Sequence, residues 1–389
     1  MAAPGALAGT TVLDFSTVGP AARCTRILAD YGARVIKVGA PRGVQIEPPW
    51  YAYAAGRGTL RLRIDLKAPG GRDALLRLAR RADVLVESFR PGVAARLGIG
   101  YDDLCRVNPR LVYCSTSGYG QKGPRAGWAG HDLDYLAVSG FLHTGGRRAD
   151  AGPALPGATL ADAAGGGMHA AIAVLAALLR RGRSGRGEYL DVAVADGLLS
   201  LMALPVEQYL ATGEEPGPGG DLLSGRYACY DVYPARDGRW LAVAAIEPAF
   251  FANLCRALGC PEWIPHQHDD ARQDEIRAAF RRAFASRDRD AWVAELAGAD
   301  TCVAPVQTIA EVARDPQFAE RGAFGEAHHA SRGRFRQLQP LLAGQPQGGE
   351  AVQVNEVDEA SRSHTALLLR EAGLEPDEIE ALAREGVVA

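Results

Sequence analysis

Apolar and polar positions alternate along the first half of the chain in a strand–helix rhythm. TVLDFS at 11–16 is a short apolar run, and PAARCTRILADYGA after it repeats apolar residues at helical spacing. RVIKVG at 34–39 predicts a second strand, and LRLRIDL at 60–66 alternates with period two. GGRDALLRLARRA reads as an amphipathic helix, followed by strand candidates VLVES at 84–88, LVYCSTSG at 111–118 and EYLDVAV at 188–194. Between the last two, GGGMHAAIAVLAALLRR opens on glycines and continues as a long apolar helix over 165–181. Such a rhythm predicts an α/β fold whose large domain carries a mostly parallel sheet with helices on both faces.

The rhythm changes near GEEPGPGG at 213–220, where acid, proline and glycine coincide as in a linker. Beyond it, RYACYDVYPARDGRWLAVAAI predicts two strands joined by a tight turn at Arg236-Asp237-Gly238, and helical stretches follow near 248–258, 272–285 and 289–298. The expected organisation is a large domain begun by 1–200, a linker over 201–224 and a smaller α+β domain over 225–325. A C-terminal segment, 326–389, returns to the large domain. Its first part, 326–356, is rich in Gly, Gln and Pro and is expected to wrap the surface. Pro376 near the first turn of EPDEIEALARE and Gly386 after its end bound the last helix.

Composition narrows the partners. The 389 residues are 47% hydrophobic and 23% charged with a formal net charge of −3, so no global basic field favours nucleic acid or an anionic membrane. The N-terminus lacks a secretory pattern, and the longest apolar run, AAIAVLAALL, is half a membrane span. The chain reads as cytoplasmic. Seven scattered cysteines without a CxxC pair read as reduced, buried small hydrophobes. No phosphate-loop or dinucleotide fingerprint is present, and His266-Gln267-His268-Asp269-Asp270 and His328-His329 lack zinc-site spacing. They read as solvated loops, and no metal site is expected.

Three segments hold candidate chemistry. AGHDLDYLAVSG places His131 just before a helical stretch, ADAAGGGMH places Asp162 ahead of three glycines, and AAIEPAFF ends a strand at Glu247 before a proline. Taken singly, each residue reads first as a helix cap or a surface carboxylate. The glycine run changes that for Asp162. A run of glycines costs conformational entropy unless backbone must approach something closely. At a helix N-terminus it would offer N–H donors to a developing enolate oxygen.

These segments, together with LAGTTVLDFSTVGPAARCTRILADYGARVIKV, ADVLVESFRPGVAARLGIGYDDL, SGRGEYLDVAVADG and GLEPDEIEALAREGVV, resemble the class III CoA-transferases and the α-methylacyl-CoA racemases grouped with them. The resemblance implies an intertwined homodimer with a Rossmann-like large domain, and an acyl-CoA thioester as substrate. CoA is then part of the substrate, and no separate cofactor is implied. It carries CoA contacts to Val18, Arg57, Arg90, Gly118, Tyr119, Gly120 and Lys122. The aspartate matching Asp162 is a nucleophile in the transferases. In the racemases it is one of two acid/base groups, His131 matching the other and Glu247 matching a glutamate of the small domain. His131 therefore points to the racemase branch. The chain departs from the family pattern at Ala40, Gly56 and Thr59 and over 42–55, where the adenine and phosphate end of CoA is expected; Arg42, Arg61 or Arg63 could compensate.

Overall fold

The computed structural model describes residues 5–41, 49–146, 152–215, 217–341, 355–357 and 363–389. They divide into two compact units: one formed by 1–139, 156–203 and 316–389, the other by 140–155 and 204–315. Each is described separately.

The first unit is built on six parallel strands. They are β1 (Thr11–Asp14), β2 (Arg34–Gly39), β3 (Thr59–Arg63), β4 (Val84–Glu87), β5 (Val112–Ser117) and β6 (Tyr189–Ala193). Their order is β3-β2-β1-β4-β5-β6, and every neighbouring pair is parallel. This is the Rossmann-like order, in which the direction of winding reverses between β1 and β4. Val12, Leu13, Val84, Leu85 and Val86 are fully buried, as near-continuous apolar strands covered on both faces must be. The crevice beyond the carboxyl ends of β1 and β4 is where open sheets of this kind bind ligands.

Helix α1 (Gly19–Asp30) follows β1, and α2 (Pro69–Ala79) precedes β4. One face of the sheet gathers Val12, Ala21, Leu28, Val84, Val112 and Val174 into a core. The other buries Leu13, Leu75, Leu85 and Tyr113 together with Leu368, Leu369 and Ile379 of the C-terminal helices.

Two expectations are corrected here. The segment beyond 323 is not merely a surface wrap. Phe324–His329 and Gly333–Leu338 pair antiparallel, and Asn355–Val357 adds a parallel strand to the first. Within this sheet Ala327, His329 and Gln337 are buried while Arg334, Arg336 and Leu338 are exposed, an alternation that the Gly and Gln content obscured. Nor do the three glycines open the long helix. It begins at Ala161 with a π-helical segment, Ala161–Met168, and continues as a regular helix over His169–Ser184. The continuous helix is 24 residues, long and apolar enough to cross a membrane by length and composition, where the ten-residue run suggested half a span.

The second unit is an antiparallel sheet of Tyr230–Pro234, Trp240–Ala244 and Val303–Pro305. Helices Pro248–Ala257, Gln273–Phe284 and Arg289–Leu296 lie on it, close to the expected ranges. Its core centres on Tyr233, Phe251, Phe280, Phe284 and Trp292. Much of the stretch expected as linker is instead ordered into helix Ala203–Thr212 and the short turn Leu222–Ser224, so the unit takes in 140–155 and 204–315 where 225–325 was expected.

All seven cysteines are unbridged. Five are buried, Cys105 is half-buried, and Cys302 is exposed, contrary to its reading as a buried hydrophobe.

Candidate active site

The crevice side of the first sheet is assembled by buried polar residues at strand ends. Asp14, fully buried at the end of β1, accepts hydrogen bonds from the Ser16 amide (2.8 Å), Thr25 Oγ1 (2.6 Å) and Lys37 Nζ (2.7 Å). A buried carboxylate so satisfied fixes the loop that follows it. That loop carries Val18 in extended backbone and then Gly19 at φ +77°, a conformation that favours glycine, before Pro20 enters α1. A Cβ on Gly19 would lie 3.7 Å from Oδ2 of Asp162.

Glu87 ends β4 and does the corresponding work there. Burial raises its pKa, an effect opposed by a hydrogen bond with Ser115 and one from the Phe89 amide (2.6 Å). The turn Ser88–Pro91 so held forms one wall of a cavity of about 380 Å³. Phe89, Arg90, Tyr119, Trp128, His131 and Tyr135 are among the residues around it. Tyr119 meets Trp128 and Tyr135 edge-on, with ring centroids 6.0 and 5.2 Å apart. The Tyr135 hydroxyl donates to the carbonyl of Gly130 (2.6 Å), which fixes that ring against the wall. A cavity that combines aromatic walls with polar groups such as Arg90, His131 and Asp134 suits a small organic ligand with a polar part.

His131 is exposed at the start of helix α3 (Asp132–Val138) and contributes to the cavity. It occupies the cap position, but the capping bonds are made by main chain: its amide donates to Asp134 Oδ2 (2.9 Å), and its imidazole makes no cap bond. The ring is thereby left available for chemistry. Asp162, half-buried, lies in the first turn of the π-helical segment. Its pKa is raised, first by burial and next by the neighbouring charge of Asp132; Arg23 and His131 act in the opposite direction. The structure thus places His131 in the same unit as Asp162 and near enough to favour ionisation of that carboxyl. Asp162 is not among the cavity-lining residues.

The glycines do something other than expected. Gly165, Gly166 and Gly167 are buried inside the helix, so they are not the exposed donors of its N-terminus. A Cβ on Gly166 would meet Pro20 Cβ at 2.4 Å, and one on Gly167 would meet Arg23 Cβ at 2.6 Å. Their absent side chains let the helix pack directly on α1 and on α4 (Val194–Leu201). The first-turn donors are satisfied elsewhere: the Asp162 amide donates to Asp132 Oδ1 (2.9 Å) and the Ala163 amide to Thr159 O (3.0 Å). No oxyanion cradle is formed by the glycine run.

The profile of CoA-transferase family III matches residues 7–351. The chain belongs to this family. It is 36% identical over 387 residues to the alpha-methylacyl-CoA racemase of Homo sapiens, covering 98% of this chain and 97% of that protein. It is 32% identical over 332 residues to the acetyl-CoA:oxalate CoA-transferase of Acetobacter aceti, covering 82% and 85%. A crystal structure of a CaiB/BaiF family protein from Brucella suis superposes with a TM-score of 0.77 at 28% identity, covering 95% of this chain and 100% of that one. The resemblance read from the motifs is met.

All seven residues to which the family resemblance carries CoA contacts lie in the first unit, with differing surroundings. Arg90, Gly118 and Tyr119 line the cavity. Gly120 turns at φ +82°, and the next amide, of Gln121, donates to Asp191 Oδ2 (3.1 Å), tying the loop that carries exposed Lys122 to β6. Arg57 is different. Its guanidinium is buried and donates to Leu338 O (2.6 Å), Gln337 Oε1 (3.3 Å) and Asp30 Oδ1 (2.9 Å). Those bonds hold the C-terminal strand pair against α1, so Arg57 is occupied structurally rather than presented to a ligand.

Two departures from the family pattern are physically coupled, because Thr59 Oγ1 donates to the Gly56 carbonyl (2.7 Å) and closes the turn at φ +69°. Ala40 is exposed at the end of β2. Arg61 and Arg63 are tied through their main-chain amides to His364 Nδ1 (3.2 Å) and Thr365 Oγ1 (2.9 Å), while Arg42 lies outside the described residues.

Glu247 belongs to the second unit, at the start of helix Pro248–Ala257, where its exposed side chain makes no cap bond. Nearby, Gln267 is buried rather than solvated and donates to the carbonyls of Ala245 (3.1 Å) and Ile246 (2.7 Å). His329 is likewise buried, with its ring edge-on to Trp50. Among the described residues no group of three metal-ligating side chains gathers. Sequence reading missed Asp132, Arg23 and Gly19 as neighbours of Asp162. Only the adjacency of Asp132 to His131 hinted at a shared site.

Proposed function

We propose that this chain is an α-methylacyl-CoA racemase (epimerase) that inverts the 2-methyl centre of an acyl-CoA thioester by two-base proton transfer. The observation that carries this reading is the placement of His131 beside Asp162, with a raised pKa for the aspartate. A proton α to a thioester is weakly acidic, so its removal needs a positioned base, and inversion needs an acid on the opposite face. A carboxyl whose pKa burial shifts upward holds its proton more readily than an ordinary one, as a group that alternates between acid and base must. His131 would be the partner base or acid, according to the hand of the substrate. The chemistry moves protons alone and requires neither a metal nor a redox cofactor. The family resemblance adds a homodimer and a role for Glu247 in orienting or charge-balancing His131.

Deuterium from solvent should enter the α position of a 2-methylacyl-CoA with the wild-type protein. His131→Ala and Asp162→Ala should each lose that exchange by roughly 10²–10⁴-fold for at least one enantiomer. Glu247→Gln should lower it with the fold intact. Wild-type protein that exchanges no α-proton with any 2-methylacyl thioester would overturn the proposal.

A second reading, CoA transfer with Asp162 as nucleophile toward a carboxylic acid, is favoured by the likeness to the Acetobacter aceti transferase. Trapping a covalent Asp162 adduct with hydroxylamine in the presence of acyl-CoA and acceptor acid would select it over racemisation.

A further inference from the structure

The first turn of any helix leaves main-chain N–H groups without intrahelical partners, and a side chain at the cap position commonly takes one of them. Here Leu160, ahead of the π-helical segment, is already helical, and the hydroxyl of Thr159 before it is engaged by Arg23. The acceptor for the Asp162 amide comes instead from a different helix, thirty residues earlier in the chain, as Asp132 Oδ1 at 2.9 Å. Asp132 follows His131 directly. One dipeptide therefore places the imidazole on the cavity and, through the next side chain, fixes the main chain of the second acid/base group.

We infer that Asp132 is a positioning residue of this site: its carboxylate caps the helix that carries Asp162 and stands as a second negative charge beside it. The inference rests on the two-base reading only for what Asp162 does when positioned. The groups facing Asp162 come from two elements, α1 and α3. Arg23 on α1 contributes positive charge, His131 and Asp132 lie at the start of α3 with Tyr135 one turn further, and Gly19 stands at the entrance to α1. Of these, Asp132 is the group whose charge opposes ionisation of Asp162. Arg23 is itself held by a hydrogen bond to Thr159 Oγ1, immediately ahead of the segment. The carboxyl is thus set between an acid that hinders its ionisation and a base that favours it, both anchored to its own helix start.

Two substitutions separate these effects. Asp132→Asn keeps an oxygen that accepts the Asp162 amide and removes the charge. Asp132→Ala removes both. The direct measurement is a ¹³C NMR titration of aspartate carboxyls in the full-length protein, with the Asp162 signal assigned by its loss in Asp162→Asn. In Asp132→Asn that signal should titrate lower than in wild type, by on the order of one pH unit. In solvent-exchange assays, Asp132→Asn should retain most activity with its pH profile moved the same way. Asp132→Ala should lose on the order of 10²-fold, as expected for a misplaced reacting group. An Asp162 titration identical in Asp132→Asn and wild type would overturn the inference, and so would an Asp132→Ala variant with wild-type exchange. A wild-type protein without any α-proton exchange would sink the two-base reading instead, and the titration would still decide the part played by Asp132.

Discussion

Two glycine-bearing regions of the first unit lie near the candidate site, and they use the absence of a side chain for opposite ends. Gly165, Gly166 and Gly167 stand in one run, face Gly197 and neighbouring side chains, and let helix approach helix. Gly118 and Gly130 are separated in sequence and sit in loops, yet both make room for the ring of Tyr135 at the cavity wall. The conspicuous run is packing, and the inconspicuous pair shapes the cavity. A glycine reports that something comes close; it does not report whether that something is chain or ligand.

The comparison breaks most visibly at Gly197. A Cβ there would stand 1.9 Å from the carbonyl oxygen of Gly165, which is backbone and can yield only by moving a helix. Gly197→Ala should destabilise the protein by about 3 kcal/mol or more, the upper range of overpacking. Denaturant titration followed by far-UV circular dichroism measures it. A midpoint unchanged from wild type would mean that the helices are not in this contact.

Gly118→Ala should do less to stability and more to the cavity. Its Cβ would lie 2.3 Å from Tyr135 Cε1 and 2.5 Å from the hydroxyl, but a side chain can turn where a backbone cannot. Displacing the ring breaks its bond to Gly130 O, so a loss of about 1–2 kcal/mol is expected. The sharper signature is weaker binding of an acyl-CoA by calorimetry with the fold retained. Equal binding by variant and wild type would remove this wall from the ligand site.

Gly182→Ala is the control for both. Gly182 lies in the exposed part of the long helix, and a Cβ there would meet nothing within 4 Å. Alanine has higher helix propensity and a smaller unfolded-state entropy, so a gain of about 0.4–1 kcal/mol is expected in the same titration. A loss would show that glycine at this helix serves a contact outside the single chain.

The parallel sheet was legible because its strands are short apolar runs set between helical periods, a signal that survives without tertiary knowledge. The π-helical entry at Ala161–Met168 was not. Alanine and glycine have no period strong enough to tell where the helix begins, and the deciding contacts come from Pro20, Arg23 and Val194, far away in sequence. The strand pair at 324–338 was hidden for the opposite reason, since its arginines and Gln337 mask an alternation that only burial makes plain. At the site, His131 and Asp162 could be named from motif resemblance, but their relation through Asp132 depends on a contact that no local pattern encodes. Arg57 shows the limit of carrying roles by motif: the residue is present, and its guanidinium is engaged by the C-terminal strands.

The smallest effect is expected at Asp162, where packing and chemistry meet. Burial and Asp132 raise its pKa in the folded protein, so the folded state binds that proton more tightly than the unfolded chain does. The contribution of such a group to stability is whole below the ordinary carboxylate pKa and is lost as pH rises through the raised value. Above the raised value the ionised Asp162 therefore weighs against folding, and Asp162→Asn, which cannot ionise, should there melt slightly higher than wild type. The difference should shrink as pH is lowered and vanish well below the ordinary aspartate pKa of about 3.9, where the wild-type carboxyl is protonated in both states. Because the group is only half-buried, solvent screening keeps the gain modest. Paired thermal melts across this range provide the test. A difference that stays constant with pH would assign the effect of the substitution to packing against Gly19 and the helix start, and the carboxyl would then belong with the glycine run rather than with the cavity.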